Sequence, residues 1–298
     1  MKFFHLSDLH IGLKLLNRDL GEDQEYIFEQ IVGLAARERP DAVVIAGDIY
    51  DKAVPSADAV EVFDHFIARL TAALPDAAVM MISGNHDSAP RVNCFRSVLS
   101  RQKVYMVGNI IIDTLRHNYS RFTRPECLDR MNVADGSYIV FTINRKALLT
   151  DDGYLYDMLS TISKQLGDTK VIAPLRGLAR EKIEPLAAEM PGMSIVDSMS
   201  YLDFGYLTAH AKGIITDSGN IAEEATFNNV PCITLNDYTE HVETVSQGSN
   251  VLVGYDLDKL HTFVADMIGG NWKKSSLPER WDGRTADRIL QIVTSSAQ

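Results

Sequence analysis

Cysteine and basic residues are scarce in this chain of 298 residues, and each shortage excludes a class of protein. Three cysteines, odd in number and far apart, exclude a disulfide-stabilised extracellular scaffold and favour reduced thiols in a cytoplasm. With 29 basic against 40 acidic residues, the net charge of -11 argues against a broad nucleic-acid-binding surface. No apolar run approaches the roughly 18 residues of a membrane span. We expect a cytoplasmic protein with no membrane segment and no signal peptide, since the first predicted strand already starts at residue 2.

Short apolar runs and amphipathic stretches alternate over residues 1–108. The apolar runs predict strands at 2–6, 43–46, 78–82 and 104–107. Between them we predict helices over 22–37 and after Pro55, with Ser56 as the N-cap of the second helix. This βαβαβαβ order predicts a parallel sheet with right-handed crossovers. The glycine-rich corners after the strands then lie at the carboxyl edge of the sheet, where open α/β sheets build their binding sites.

The rest of the chain repeats this architecture. Its apolar runs predict strands at 138–142, 170–173, 213–216, 232–235 and 251–253. We predict helices over 155–166, from about Ile221, and over 285–293. The polar segment 118–135 contains Pro125 and lacks periodicity, so it is the predicted hinge. The predicted fold class is α/β, with two Rossmann-like parallel-sheet layers that face a cleft in a GT-B-like outline.

Three motifs in the first half place candidate metal ligands after three successive strands. The motifs are Asp8-Leu9-His10, Gly47-Asp48-Ile49-Tyr50-Asp51 and Gly84-Asn85-His86-Asp87. The residues whose ligand chemistry suits Mn²⁺ or a similar divalent ion are Asp8, His10, Asp48 and Asn85. His86 is the predicted catalytic residue, as a general acid or as a partner for a phosphate oxygen. Two such cations, about 3.5–4 Å apart, would activate a water molecule and neutralise the phosphate.

Over residues 1–108, these motifs and the run 51–56 resemble the D subunit of the bacterial SbcCD exonuclease, a calcineurin-like metallophosphoesterase. The resemblance implies a metal-dependent phosphoesterase or DNA exonuclease whose partners are DNA and an SbcC-like ATPase. Members of this family complete the site with a Gly-His-x-His element, and the chain contains no such element. The segment is therefore interpreted as a truncated metallophosphoesterase half that binds metal weakly, because imidazole ligands are missing.

A second set of motifs lies in the second half of the chain. Its centre is the run Thr216-Asp217-Ser218-Gly219-Asn220, which turns out of a predicted strand into a helix with Glu224 one turn on. Backbone N–H groups at Ser218, Gly219 and Asn220 would be free at the helix start, and the positive end of the helix dipole favours a diphosphate there. Taken alone, this run is also explained by a helix-start loop with a solvated acidic face.

Over residues 109–298, the chain resembles the C-terminal domain of a non-hydrolysing UDP-N-acetylglucosamine 2-epimerase. The landmarks of this resemblance are 142–145, 216–224, 239–243 and 282–283. It implies that Arg145 binds UDP together with the run 218–220, and that Glu224 accepts hydrogen bonds from the ribose. The chain departs from the family where Asn144 replaces the active-site histidine. The family's N-terminal domain, which supplies carboxylates for epimerisation, is replaced by the phosphoesterase-like segment.

We interpret the chain as a fusion of these two families, with domains 1–108 and 109–298. The function that follows is binding of UDP or a UDP-sugar, with epimerase activity lost or crippled. One alternative is a metal-dependent phosphoesterase or exonuclease with residual activity, and another is a folded, inactive fusion. The sequence leaves open which sugar is recognised and whether the chain is a monomer or a homodimer.

Overall fold

The computed structural model describes residues 2–84, 86–92 and 99–296, and the chain divides into two compact units. The first unit consists of Met1–Asp113, Glu240–Glu243 and Glu279–Gln298. The second consists of Thr114–Thr239 and Thr244–Pro278. The chain therefore passes between the units at 113/114, 239/240, 243/244 and 278/279. Among the described residues, every helix is too short or too polar to cross a bilayer.

Strands and helices alternate along the chain. The strands are β1 (Phe3–Leu6), β2 (Lys14–Leu15), β3 (Arg18–Asp19), β4 (Ala42–Ala46), β5 (Ala78–Ile82), β6 (Val104–Gly108), β7 (Tyr138–Phe141), β8 (Lys170–Pro174), β9 (Met193–Val196), β10 (Gly213–Thr216), β11 (Cys232–Thr234) and β12 (Asn250–Leu252). The helices are α1 (Gly21–Glu38), α2 (Ala57–Ala73), α3 (Ala89–Val92), α4 (Ile110–Asn118), α5 (Glu126–Arg130), α6 (Lys146–Leu149), α7 (Asp152–Ser163), α8 (Gly177–Ala187), α9 (Tyr201–Ala209), α10 (Gly219–Asn228), α11 (Val242–Ser246), α12 (Leu257–Gly269) and α13 (Thr285–Ser296). The predicted α/β class is confirmed.

The first unit is built on a parallel four-stranded sheet with the strand order β1-β4-β5-β6. One face is covered by α1 and α2, whose Phe28 and Phe66 rings stack with centroids 4.5 Å apart. The other face is covered by α13, through Ile289, Ile292 and Val293. Burial on both faces explains why β4 and β5 are continuous apolar runs. A short antiparallel ribbon, β2-β3, precedes α1.

The second unit is built on a parallel six-stranded sheet with the strand order β12-β11-β10-β7-β8-β9. Every residue of the central strands β7 and β10 is buried. Leu155 of α7 and Leu260 of α12 pack on one face, and Leu207 of α9 and Ala222 of α10 pack on the other. The parallel order places the polar corners after β7, β8, β9, β10 and β11 at one edge of the sheet.

Helix α13 is fixed in the first unit by residues that follow β6. The carboxylate of Asp113 accepts hydrogen bonds from the backbone N–H groups of Thr285 and Ala286, at 3.0 and 2.8 Å. Gly108 has a φ of +130°, and a Cβ there would lie 2.6 Å from Oγ1 of Thr285 and 2.9 Å from the carbonyl oxygen of Arg280. The first unit therefore requires glycine at the position where the two resemblances meet.

The predicted strand bounds hold at β5 and β10, and the other predicted strands differ by one residue at one or both ends. The N-cap prediction at Ser56 is confirmed, since its Oγ accepts from the backbone N–H of Ala59 at 3.2 Å. The helix predicted over 155–166 is wrong at its start, because Asp151 caps α7 by accepting from the N–H of Tyr154 at 3.0 Å. The helix predicted from about Ile221 begins two residues earlier, at the start of α10.

The segment 118–135, predicted to be an irregular hinge, lies within the second unit and carries α5. Arg124 donates to the carboxylates of Asp129 and Asp135, at 2.8 and 2.5 Å. Its guanidinium also lies 5.9 Å from the ring centroid of Tyr206. These contacts give the segment a defined conformation that its polar composition does not signal.

Candidate functional site

Polar residues of three loops converge at the carboxyl edge of the second sheet. Asp217, which follows β10, accepts hydrogen bonds through Oδ2 from the backbone N–H groups of Asn144 and Arg145, at 2.7 and 2.6 Å. Asn236, which follows β11, donates from Nδ2 to the carbonyl oxygen of Asp217 at 3.2 Å. The loops after β7, β10 and β11 are therefore tied together.

One cationic group of this edge is the guanidinium of Arg145. Its Nη1 donates to Oδ1 of Asn236 at 2.5 Å, and its carbon lies 5.5 Å from the ring centroid of Tyr238. Arg145 is only partly buried, so the remaining donors of the guanidinium can meet a ligand from solvent. A guanidinium in this position suits a phosphate or a carboxylate.

The start of α10 provides backbone donors at the same edge. Ser218 is the N-cap, and among the described residues no side chain caps the helix there. The backbone N–H of Ser218 is satisfied by Oγ1 of Thr216 at 3.0 Å, and that hydroxyl also bonds Oγ1 of Thr142 at 2.7 Å. Gly219 and Asn220 form the first turn, whose N–H groups have no partner inside a helix. This geometry favours an anionic ligand.

Glu224 lies one turn further along α10. Burial, together with the charge of the neighbouring Glu223, raises the pKa of its carboxyl to about 7. The carboxyl is close enough to Tyr201 to raise the pKa of that phenol, whose own burial is the larger cause. Near neutral pH Glu224 therefore exists as a mixture of the acid, which can donate a hydrogen bond, and the carboxylate, which only accepts.

A pocket of about 300 Å³ opens beside these groups. It is formed by the loops after β7, β8 and β9 together with the starts of α9 and α10. Its walls combine aromatic and aliphatic side chains with a few polar groups, as small-molecule pockets do. The residues that line it are Thr142, Ile143, Asn144, Pro174, Leu175, Arg176, Ser198, Met199, Ser200, Tyr201, Phe204 and Ile221.

A separate cluster of candidate metal ligands lies in the first unit. Ligand atoms of Asp8, His10 and Asp48 lie within 4.8 Å of one another, and those of His10, Asp51 and His86 do so as well. His10 belongs to both sets, with Nε2 3.9 Å from Oδ2 of Asp48 and Nδ1 3.7 Å from Oδ1 of Asp51. Carboxylate and imidazole ligands in this number suit a divalent cation such as Mn²⁺.

Strained backbone helps to aim these side chains at one another. Asp8, His10 and Asp48 have φ values of +56°, +43° and +49°, in the left-handed region that non-glycine residues rarely adopt. Backbone hydrogen bonds hold them there, from the N–H of Asp8 to the carbonyl of Gly47 and from the N–H of His10 to the carbonyl of Asp48. Strain of this kind concentrates at functional sites.

His86 is held by the loops around it. Its Nδ1 lies 2.9 Å from the carbonyl oxygen of Asp51, and its backbone N–H donates to Oδ1 of Asp48 at 2.9 Å. The contact with the Asp51 carbonyl is the largest cause of its raised pKa, and the carboxylates of Asp48 and Glu240 add to it. A protonated ring donates from Nδ1 to Asp51 and keeps its second nitrogen for another acceptor.

The structure brings together Asp8, His10 and Asp48 of the predicted metal ligands, while Asn85 lies outside the described residues. Asp51 joins the cluster with His86, although the sequence does not mark it as a ligand. Its only local signal is its place three residues after Asp48, in the same corner.

In the second unit, the predicted residues Asn144, Arg145 and Ser218 lie at one edge of the sheet. The sequence gives no signal for Asn236 and Tyr238, because their contacts with Arg145 span 91 and 93 residues.

Comparison with known proteins identifies the family of the chain. The family model of UDP-N-acetylglucosamine 2-epimerase matches residues 86–294. The UDP-N-acetylglucosamine 2-epimerase of Methanocaldococcus jannaschii is 27% identical over an alignment that covers 92% of this chain and 81% of the relative. The likeness thus reaches well before residue 109, where the motifs alone place its start. The phosphoesterase interpretation of 1–108 gains no support from these comparisons and stays a prediction.

Two solved structures of the same archaeal enzyme share the fold, each at 24% sequence identity. One has a TM-score of 0.61 and covers 96% of this chain and 84% of that chain. The other, in complex with UDP-GlcNAc and UDP, has a TM-score of 0.57 and covers 92% and 81%. With most of its length matched by the family model, this chain belongs to the UDP-N-acetylglucosamine 2-epimerase family.

Proposed function

We propose that the chain binds UDP or a UDP-sugar at the carboxyl edge of its second sheet. The observation that carries this proposal is the uncapped start of α10 beside the guanidinium of Arg145, with Glu224 one turn on. Backbone donors, a helix dipole and a bidentate cation are the groups that recognise a diphosphate. The complex of a relative with UDP-GlcNAc and UDP supports the choice of nucleotide.

Each part of the nucleotide has a partner in this arrangement. We place the diphosphate at Ser218, Gly219 and Asn220, where the first-turn N–H groups of Gly219 and Asn220 are the donors. The N–H of Ser218 is already bonded to Thr216, so this residue contributes through its side chain. The carboxylate of Glu224 accepts from the ribose hydroxyls. The base enters the neighbouring pocket, whose aromatic side chains, including Phe204, provide apolar contact area.

We further propose that the chain does not epimerise UDP-N-acetylglucosamine at an enzymatic rate. Epimerisation at the sugar C2 removes and returns a proton, and this requires a positioned group with a suitable pKa. Asn144, which stands at the position of the family's active-site histidine, has an amide that neither takes nor gives a proton near neutral pH. Binding through backbone donors and Glu224 does not depend on that group.

Calorimetric titration is expected to show UDP binding with a Kd on the order of 0.1–1 mM, which is a binding free energy of about 4–5.5 kcal/mol. Proton NMR of UDP-N-acetylglucosamine incubated with the chain is expected to show no conversion. Asp48→Ala, a change in the first-unit cluster, should leave UDP binding unchanged. Conversion at an enzymatic rate would show that Asn144 is compatible with catalysis, and absence of UDP binding would overturn the proposal itself.

A second candidate function is metal-dependent hydrolysis of phosphodiesters by the first unit. The specific observation that favours it is the double set of ligand atoms around His10, with His86 beside it. Two divalent ions held there would activate water and neutralise a phosphate. Activity on DNA with an ATPase partner rests on the resemblance of 1–108 alone and stays a prediction.

Mn²⁺ is expected to bind the first-unit cluster. Asp48→Asn is expected to weaken Mn²⁺ binding by about tenfold or more, because a carboxylate ligand of the Asp8, His10 and Asp48 set is lost. The measurement is an Mn²⁺ titration followed by electron paramagnetic resonance, with hydrolysis of bis(4-nitrophenyl) phosphate as the activity readout. Asp64→Asn, an exposed acid of α2, is the matched control. Equal Mn²⁺ affinity in both variants would exclude this cluster as the metal site.

A further inference from the structure

The side chain of Arg145 belongs to a closed ring of hydrogen bonds. Its backbone N–H donates to Oδ2 of Asp217 at 2.6 Å, and its Nη1 donates to Oδ1 of Asn236 at 2.5 Å. Asn236 closes the ring by donating from Nδ2 to the carbonyl oxygen of Asp217 at 3.2 Å. The ring fixes both ends of the arginine side chain, its backbone and its guanidinium.

The ring of Tyr238 packs against the guanidinium of Arg145. The guanidinium carbon lies 5.5 Å from the ring centroid, and Nη2 lies 3.4 Å from the phenol oxygen. The Tyr238 side chain is largely exposed, at 53% of its full accessible area. A side chain so exposed adds little to the core, so its contact with Arg145 can be tested without disturbing core packing.

The orientation of Arg145 matters because a free arginine side chain has many rotamers and loses them on binding. A guanidinium held by Asn236 and Tyr238 has already lost much of that freedom, which improves its affinity for a bidentate anion. If the ring served only to tie the strand ends together, its loss would weaken the binding of every ligand at this edge to the same extent.

We infer that Asn236 and Tyr238 are positioning residues, which orient the Arg145 guanidinium toward the diphosphate of the ligand. The inference rests on the proposed UDP-binding function and adds to it the residues that set the strength of diphosphate recognition. Neither residue touches the ligand in this account, and each acts only through Arg145.

The test is a double-mutant cycle measured by calorimetry with two ligands, UDP and uridine, which lacks the diphosphate. Asn236→Ala is expected to weaken UDP binding about tenfold, the effect of one hydrogen bond to a charged group. Uridine binding should change less than about twofold. In an Arg145→Ala background, Asn236→Ala should have almost no further effect on UDP, since its partner is gone.

Tyr238→Ala provides a second variant that cannot fail through loss of core packing, and Tyr238→Phe keeps the ring under the guanidinium. Tyr238→Ala should weaken UDP binding and Tyr238→Phe should retain most of it. Asn118→Ala, on α4, is the matched control for the asparagine change. Equal losses for UDP and uridine, or additive effects in the cycle, would overturn the positioning role. Absence of UDP binding by the unaltered chain would instead overturn the proposed function.

Discussion

Glu224→Ala is expected to weaken UDP binding about tenfold or more at pH 8, because hydrogen bonds between ribose hydroxyls and a carboxylate are lost. The unaltered chain should also bind UDP about tenfold more tightly at pH 8 than at pH 6, since its carboxyl titrates at about 7 and only the carboxylate accepts both hydroxyls. Calorimetric titrations from pH 6 to 8 measure both effects. Any pH dependence left in Glu224→Ala belongs to the phosphate of UDP itself.

Glu224→Gln tests how the raised pKa of Glu224 affects the stability of the fold. Because the folded-state pKa of Glu224 is raised to about 7, its contribution to stability is present below 4.5 and is lost as the pH rises through about 7. The neutral glutamine keeps that contribution at pH 8, so this variant should unfold at no lower urea concentration than the unaltered chain. A pH-independent Kd in the unaltered chain would contradict the role given to Glu224.

Gly108→Ala is expected to lower the free energy of unfolding by about 2–4 kcal/mol, the sum of a left-handed backbone strain and a steric clash. The clash involves Oγ1 of Thr285 and the carbonyl oxygen of Arg280, at 2.6 and 2.9 Å from the new Cβ. Relief of the clash displaces the start of α13 from β6. Urea unfolding, followed together with hydrogen exchange of the β6 amides, measures the loss.

Gly136→Ala is the matched control for this change. Gly136 also has a positive φ, of +70°, but a Cβ there meets nothing within 4 Å. Its substitution should therefore cost only the backbone strain, about 1 kcal/mol. Equal destabilisation by the two substitutions would show that α13 tolerates displacement at Gly108.

Much of the fold follows from the sequence because parallel strands buried on both faces are apolar runs. Strands β5 and β10 were predictable to the residue, since polar or small residues bound them on both sides. Strand β9, at the edge of its sheet, has only one fully buried residue, so Met193–Val196 gives no comparable signal. Caps decide the helix starts, and the capping Asp151 lies outside the apolar pattern that predicts α7.

The candidate sites were predictable only where each residue directly follows a strand that the sequence predicts. The convergence of Asp8 and Asp48 follows from their places after neighbouring parallel strands. The role of Asn236 does not, because its contact with Arg145 depends on the order of β7, β10 and β11 in the sheet. Strand order cannot be read from apolar periodicity, so residues that act through such contacts are found only in the structure.

The motifs place the start of the epimerase resemblance at residue 109. The family match starts earlier, at residue 86, and the first unit continues to Asp113. The first unit also includes α13, which Asp113 caps. A segment defined by motifs is therefore not the same as a unit defined by packing.

The position of α13 has a consequence for synthesis of the chain. Its apolar residues cover Met80 and Val107 on one face of the first sheet, yet they are about 180 residues later than Val107 in the order of translation. On the ribosome the contacts between this face of the sheet and α13 form only after residues 285–296 have emerged. The first unit therefore reaches its final packing only after the second unit has been made.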